Sequence, residues 1–392
     1  MIKVGITGQS GFIGSNLFNH LSLKNNEIKL INFKDEYFDD DNVLKDFVKN
    51  CDIIVHLAAL NRHNKPEEIY NTNIKLVEKL IDIADKNSYK PHIIFSSSTQ
   101  EYLDNPYGRS KKIGRKLFVD WAKKADAKFT GLIIPNVYGP FGQPFYNSVI
   151  STFSHQIVNN ETPRIEIDSE MKLIYVFELA EIIYKIIMGS IPKNDISGES
   201  DVEFTKRNSD IIEETLIPYF YKIKVSGLLK VLTEYKETYF DNGIFPLLKN
   251  KFQLNLFNTF RSYIDTCNYF PRKLKLNTDE RGSFIEVIKN EGTGGQTSFS
   301  TTKKNITRGN HFHTRKIERF IVISGNAEIK MRKINTNEIL TFNVSGNEPS
   351  FIDMPVWYTH NIKNTGEGEL LTLFWINELF DKENPDTFFE NV

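Results

Sequence analysis

Cysteine is nearly missing from this chain. Its 392 residues hold two, Cys51 and Cys267. They are too few and too far apart for a disulfide framework, so the core must carry the stability and a reducing compartment is expected. An excess of charge of one sign is missing too. The 49 Lys+Arg against 50 Asp+Glu leave a net charge of −1, which excludes nucleic acid or an anionic membrane held by bulk electrostatics. No apolar run approaches the ~20 residues of a membrane span. The chain opens directly on an apolar strand, Ile2-Lys3-Val4-Gly5-Ile6, without a signal-peptide pattern, so a cytoplasmic location is expected. Repeats and low-complexity linkers are absent as well. Hydrophobic residues make up 40% of the chain, which at this length suffices for two or three domains.

What is present centres on Phe95 to Lys112, FSSSTQEYLDNPYGRSKK. An apolar strand, Pro91 to Phe95, feeds three serines. Asn105-Pro106 then starts a helix, Asn as N-cap and Pro at the first helical position. Tyr107 and Lys111, four apart, share a helix face. A tyrosine titrates near ~10, and a cation beside it lowers that value. With Ser98 donating to a substrate carbonyl, the three form an acid–base set for reducing a ketone or oxidising an alcohol.

The N-terminus supplies a context. Thr7-Gly8-Gln9-Ser10-Gly11-Phe12-Ile13-Gly14 lies between the first strand and a helix through Leu21. Glycines there let backbone approach a pyrophosphate at a helix N-terminus. The second strand, Glu27 to Phe33, ends at Lys34 and Asp35. An acid at this place suits NADH and a base NADPH, and Lys34 tips the expectation to NADPH, with NADH as the other possibility. The strand Cys51 to Ala59 ends in small residues beside the cofactor, and its His56 is expected to be structural. Phe129 to Pro135 is a further buried strand. Repeated strand–helix units imply an α/β fold with a parallel, doubly wound sheet.

These segments resemble the extended short-chain dehydrogenase/reductases acting on nucleotide sugars, through TGQSGFIG (7–14), DIIVHLAA (52–59), FSSS (95–98), YGRSK (107–111) and PNVYGP (135–140). The resemblance implies catalytic roles for Ser98, Tyr107 and Lys111, with Tyr107 protonating the carbonyl oxygen and Lys111 binding nicotinamide ribose and depressing the Tyr107 pKa. It implies cofactor contacts at Gly8, Gly11, Phe12, Ile13, Gly14, Lys34, Leu57, Ala58 and Ala59 as well as Tyr107 and Lys111. The chain departs from the family twice. Ile133-Ile134 replace a common arginine before PNVYGP, and Thr99-Gln100 replace the Asp-Glu pair of the dehydratases. Without that pair, reduction or C4 epimerisation is expected rather than dehydration.

Helical periodicity marks Ser209 to Phe220, Leu228 to Tyr239 and Phe257 to Ile264, read as a substrate-side lobe. A boundary is expected near residue 268, giving a reductase domain 1–267 and a second domain 268–392. From Arg272 short alternating strands take over, with a hairpin signal around Gly325-Asn326. His311 and His313 alternate along a strand, Glu318 follows, and Pro355-Val356-Trp357-Tyr358-Thr359-His360 supplies a fourth donor. Three imidazoles and a carboxylate suit Zn, Fe, Mn or Ni, with Zn foremost. The spacing H-x-H-x4-E with Gly325, then P-x4-H-x3-N, resembles the cupins, which are all-β double-stranded β-helix barrels. Trp357 stands where the cupin motif usually has glycine. Asp279 to Val287, Gln296, Ser298, Ser300 and Arg308-Gly309 resemble the sugar-nucleotide epimerase branch. His313, Tyr358 and His360 are its candidate proton-transfer groups.

Both parts in this order, ending in Asn384 to Val392, resemble the bifunctional capsular-polysaccharide enzymes of UDP-N-acetyl-L-fucosamine synthesis. That likeness implies a homodimer binding a UDP-sugar. The cupin would epimerise C3 of a UDP-2-acetamido-2,6-dideoxy-4-hexulose, and the reductase would reduce its C4 ketone with NADPH. Two other readings stand beside it. One is an NAD-dependent nucleotide-sugar 4-epimerase or reductase with a non-catalytic cupin. The other is a non-catalytic NADP-binding sensor or scaffold, against which intact Tyr107 and Lys111 argue.

Overall fold

The computed structural model describes residues 1–189, 205–207, 211–279, 282–285, 287–290 and 295–392. Ser209 and Asp210 of the expected helix, and Glu280, Arg281 and Glu286 of the epimerase-like stretch, lie outside them. Two compact units result. The first comprises Met1–Thr152 with Ile165–Leu228, the second Phe153–Arg164 with Leu229–Val392.

In the first unit β1 (Ile2–Thr7), α1 (Phe12–Ser22), β2 (Ile28–Ile31), α2 (Asp41–Lys49), β3 (Ile53–His56), α3 (Pro66–Lys86), β4 (His92–Ser98), α4 (Pro106–Ala125) and β5 (Phe129–Ile134) alternate. There follow β6 (Asn136–Tyr138), α5 (Val149–Val158, which runs into the second unit), β7 (Glu170–Tyr175), α6 (Val176–Ile187), β8 (Thr205–Arg207), β9 (Ile212–Leu216) and β10 (Tyr221–Lys224). The main sheet has the order β2-β1-β3-β4-β5-β9-β8, parallel from β2 to β9. Parallel neighbours need crossovers, and the helices that supply them cover both faces. Successive strand residues therefore enter different cores. Ile54 and Ile93 pack with Phe47, Leu80 and Phe118, whereas Val55 and Ile94 pack with Leu17, Leu179 and Ile183.

Within the helix expected over Ser209 to Phe220, Ile212–Leu216 instead form strand β9, in parallel register with β5. Its apolar spacing fits either element. The open edge of β5 offers backbone groups that must be paired, and that tertiary demand overrides local periodicity.

The second unit begins with the end of α7 (Val225–Tyr235), one π-helical turn (Lys236–Asp241), α8 (Lys251–Arg261) and the short α9 (Thr266–Tyr269). The strands are β11 (Arg272–Lys273), β12 (Leu276–Asp279), β13 (Gly282–Ile285), β14 (Gln296–Thr302), β15 (Thr307–Phe312), β16 (Glu318–Ser324), β17 (Asn326–Lys333), β18 (Ile339–Ser345), β19 (Ser350–Met354), β20 (Tyr358–Asn364), β21 (Leu370–Ile376) and β22 (Phe388–Phe389). They form two five-stranded antiparallel sheets, β11-β19-β16-β21-β14 and β18-β17-β20-β15-β22, and the pair β12-β13. The fold class is thus the expected one, a Rossmann-like parallel sheet followed by an all-β unit.

One local expectation changes. Gly325 does not close a hairpin. At φ +94° it is the corner where the chain leaves one sheet for the other. The helices before residue 268 pack on the strands of the second unit. The Tyr239 hydroxyl donates to Asp353 (2.5 Å), Arg261 donates to the Met354 carbonyl (3.1 Å), and Asn258 to the Arg315 carbonyl (3.1 Å).

Candidate active site and metal centre

In the first unit the candidate groups gather at the carboxyl ends of β1, β3 and β4. Asn105 caps α4, its side chain accepting from the Gly108 N–H at 2.7 Å, and Pro106 takes the first turn. Tyr107 thereby leaves the cap on a fixed course, and Lys111 lies one turn on with its Nζ 5.7 Å from the Tyr107 ring centre. The Ser98 hydroxyl ends β4 and accepts from the Gln100 N–H at 3.2 Å.

Burial dominates the electrostatics here. It pushes the Tyr107 hydroxyl well above its ordinary value, and Tyr146 beside it adds to that. Burial also pushes Lys111 down to about 7. The net direction on Tyr107 is therefore upward, with burial as its largest cause. A lysine that is itself hard to keep charged cannot outweigh the desolvation of the phenolate. Tyr107 stays protonated at neutral pH, which suits a proton donor. His56 is buried, held 2.7 Å from Thr7 Oγ1, and pushed down to about 3 by burial and by Lys111; these contacts make it a neutral, structural residue.

The glycine loop fits a dinucleotide. A side chain at Gly14 would begin 2.0 Å from the Gly8 carbonyl oxygen. Gly8 itself sits at φ +67°, where a Cβ would begin 2.8 Å from Ala58 Cα. Only bare backbone permits this approach, and it brings Leu57 and Ala58 beside the N-terminus of α1, where Gly11, Phe12 and Ile13 open the helix and its first N–H groups lack intrahelical partners. Ala59 continues the same loop. Lys34 is exposed at the end of β2, while Asp35 accepts from Ser10 Oγ at 3.0 Å.

Several partners carry no motif signal. Lys111 Nζ donates to Ser96 Oγ at 3.4 Å, and Ser96 donates to the His56 carbonyl at 3.1 Å. The Tyr146 hydroxyl accepts from the Asn61 N–H at 3.2 Å, and Arg62 grips the Phe145 and Tyr146 carbonyls at 2.7 and 3.3 Å. Glu101 is an acid near Ser98, but it is buried and committed elsewhere. It accepts from Ser97 (2.5 Å) and twice from Arg115 (3.1 and 2.7 Å), and Arg115 also pairs with Glu214.

The second unit brings His311, His313, Glu318 and His360 together, one donor atom from each lying within 4.8 Å of every other. His311 and His360 come from paired strands of one sheet, and Glu318 opens β16 of the other. Glu318 Oε2 is 3.2 Å from His313 Nε2, 3.1 Å from His360 Nε2 and 4.0 Å from His311 Nε2. On the outer side His313 Nδ1 lies 2.5 Å from the Asp386 carbonyl, and His360 Nδ1 lies 3.2 Å from the Tyr358 carbonyl. A carbonyl can only accept, so both Nδ1 atoms donate. In the neutral imidazoles each Nε2 then offers an electron pair toward a carboxylate.

Burial first, then His360 and His313, pushes His311 down to about 4, so His311 is a neutral donor at pH 7, whereas Glu318 and Asp386 push His313 up against burial. Burial opposes ionisation of Glu318, yet His313 and His360 hold its carboxyl well below the usual range. Converging electron pairs and a carboxylate call for a cation, and the outward hydrogen bonds are those that orient metal-binding imidazoles. The donor set therefore fits a divalent first-row metal. His313 and His360, two of the candidate proton-transfer groups, belong to it, which leaves half-buried Tyr358 outside.

Trp357 occupies the position where glycine is usual and adopts φ +63° with its side chain buried. Its backbone N–H donates to the His313 carbonyl at 2.8 Å. The left-handed turn is kept without a glycine, and packing of the indole offsets the strain.

Comparison with known proteins bears on the whole chain. The capsular polysaccharide assembling protein CapF from Staphylococcus aureus, a solved structure, is 32% identical and matches over 100% of both chains with a TM-score of 0.60. The chain belongs to the CapF family. Residues 4–196 match the NAD dependent epimerase/dehydratase family, and residues 277–388 match the polysaccharide biosynthesis C-terminal domain. The chain is an enzyme of nucleotide-sugar oxidoreductase and epimerase kind. A Pseudomonas aeruginosa protein, UDP-2-acetamido-2,6-beta-L-arabino-hexul-4-ose reductase, is 29% identical over 99% of this chain and 98% of its own. The UDP-N-acetylglucosamine 4-epimerase of Methanobrevibacter ruminantium, 21% identical with a TM-score of 0.50, covers 67% of this chain and 98% of its own, and shows the fold alone. Among the described residues no helix is long and apolar enough to cross a membrane.

Proposed function

We propose that the second unit, a cupin-type barrel, epimerises C3 of a UDP-2-acetamido-2,6-dideoxy-4-hexulose, and that the first unit reduces the C4 ketone with NADPH. The observation that carries this reading is the pairing, in one chain, of a protonated Tyr107 beside Lys111 with the His311–His313–Glu318–His360 donor set, over a full-length likeness to a hexulose reductase. A C4 ketone acidifies the C3 proton, so removal and return of that proton inverts C3 with no net change in composition. The same ketone then accepts a hydride at C4 and a proton at oxygen.

Ser98 and Tyr107 bind the ketone oxygen, and the Tyr107 hydroxyl gives its proton to it. The phenolate regains a proton from water. Lys111, held by Ser96, orients the ribose of the cofactor. NADPH, when bound, supplies the hydride. His311, His313, Glu318 and His360 would hold the metal, Zn first, which supplies positive charge for a developing enolate. The Asp35 carboxylate at Ser10 favours NADH as a second reading of the cofactor, and the ratio of kcat/KM for NADPH and NADH in the wild type and in Lys34→Ala separates the two. The reading includes a cytoplasmic homodimer, which sedimentation velocity tests for subunit number.

Proton NMR of the 4-keto substrate in deuterated water, with enzyme and no NADPH, tests the division of labour. Deuterium entering at C3 supports it, and a C3 that stays protonated while NADPH is still consumed on addition leaves a simple C4 reductase.

A further inference from the structure

The residues after Asn384 return to the metal-bearing strand and grip it at several points. Strand β22 pairs with β15, placing Phe389 opposite His311 and Phe388 opposite Phe312. Asp386 sits at the start of this strap, buried to 3% exposure and at φ +42°, in the left-handed region that non-glycine residues seldom occupy. Its carboxylate accepts from the N–H groups of Thr314 (3.1 Å), Arg315 (3.0 Å) and Lys316 (3.0 Å) and from the Thr314 hydroxyl (2.6 Å). Those are three of the four residues between His313 and Glu318; the fourth, Ile317, donates to Asn377 Oδ1 at 2.9 Å. The Asp386 carbonyl takes the His313 Nδ1 proton at 2.5 Å. A strained residue held by this many bonds, at one metal ligand and across the turn to another, is over-determined for holding geometry.

We infer that Asp386 is a positioning residue of the metal centre. It acts through His313: the carboxylate clamps the turn, and the clamp sets the carbonyl that fixes the imidazole with Nε2 inward. The C-terminal strap thereby sets the affinity for metal. The inference rests on the metal reading of the His–Glu cluster.

The test is competition for zinc between the full chain and a chromophoric chelator. It is read beside side-chain 1H–15N spectra, which report the tautomer of His313. Asp386→Ala lowers zinc affinity by about 10- to 100-fold, the usual effect of losing a group that orients a ligand, and abolishes the His313 Nδ1–H signal. Phe389→Ala, whose side chain is 86% exposed, leaves the affinity within about two-fold. Should Asp386→Ala not fold, Asp386→Asn takes its place. It keeps the side-chain size, replaces one acceptor oxygen by a donor facing the turn N–H groups, and lowers affinity less. Folded variants that hold zinc as tightly as the wild type overturn the inference, as does a lowered melting temperature with affinity and His313 signal intact. A wild type that takes no zinc, and no other first-row divalent metal, overturns the metal reading itself and this inference with it.

Discussion

Replacing Lys111 by methionine tests the electrostatics of the reductase site through stability. The lysine is pushed from 10.5 down to about 7, by burial. A gap of about 3.5 pH units, at 1.36 kcal/mol each, makes the charged form cost roughly 5 kcal/mol below pH 7. The sign follows from linkage. The folded value is depressed, so between pH 7 and 10.5 the unfolded chain binds more protons, and stability rises with pH across that window. The cost is still about 4 kcal/mol at pH 7 and about 1.5 at pH 9.5. Methionine carries no such cost, though it loses the Ser96 hydrogen bond and the cation's place 5.0 Å from the Phe95 ring centre. The mutant's stability relative to wild type should therefore fall by about 3 kcal/mol between pH 7 and pH 9.5, whatever its starting value. Urea unfolding of the cofactor-free chain at the two pH values, followed at 222 nm where the helices of the first unit dominate, measures this. A difference constant to about 1 kcal/mol would show that the lysine has no desolvated charge to lose.

Three other outcomes follow from the same geometry. Tyr107→Phe should reduce kcat for NADPH-dependent reduction by about 10²- to 10⁴-fold while C3 deuterium exchange continues, and unchanged turnover would remove Tyr107 as the acid. Gly14→Ala places a methyl 2.0 Å from the Gly8 carbonyl oxygen, forcing a backbone shift that costs about 1–3 kcal/mol; titration of NADPH fluorescence should show at least a tenfold loss of affinity. Arg319 and Asp353 form a buried bidentate pair at 2.7 and 2.9 Å. Arg319→Met alone should destabilise the second unit by about 3–5 kcal/mol, and Arg319→Met with Asp353→Leu should restore much of it, as thermal melts of the single and double variants would show.

Local chemistry was legible where a short segment completes its own argument. Asn105-Pro106 announced the start of α4, the glycine loop announced a backbone that must come close to its neighbours, and H-x-H-x4-E announced donors on one side of a strand. In each case the physics acts over a few residues: a cap, a steric limit, an alternation. The segment from Ser209 could not be read this way, because its spacing suits helix and strand alike and the open edge of β5 chose between them. Gly325 likewise carries a turn signal that does not say whether the partner strand lies in the same sheet.

Charge and long-range placement belong to the folded chain. Desolvation depends on everything packed around a group, so the upward push on Tyr107 and the near-neutral Lys111 follow from burial that no spacing encodes. Asp386 and His313 are 73 positions apart, and no periodicity links them. The sequence carries the functional groups and the local turns that present them; packing of distant segments sets their protonation and decides which backbone carbonyl orients which imidazole.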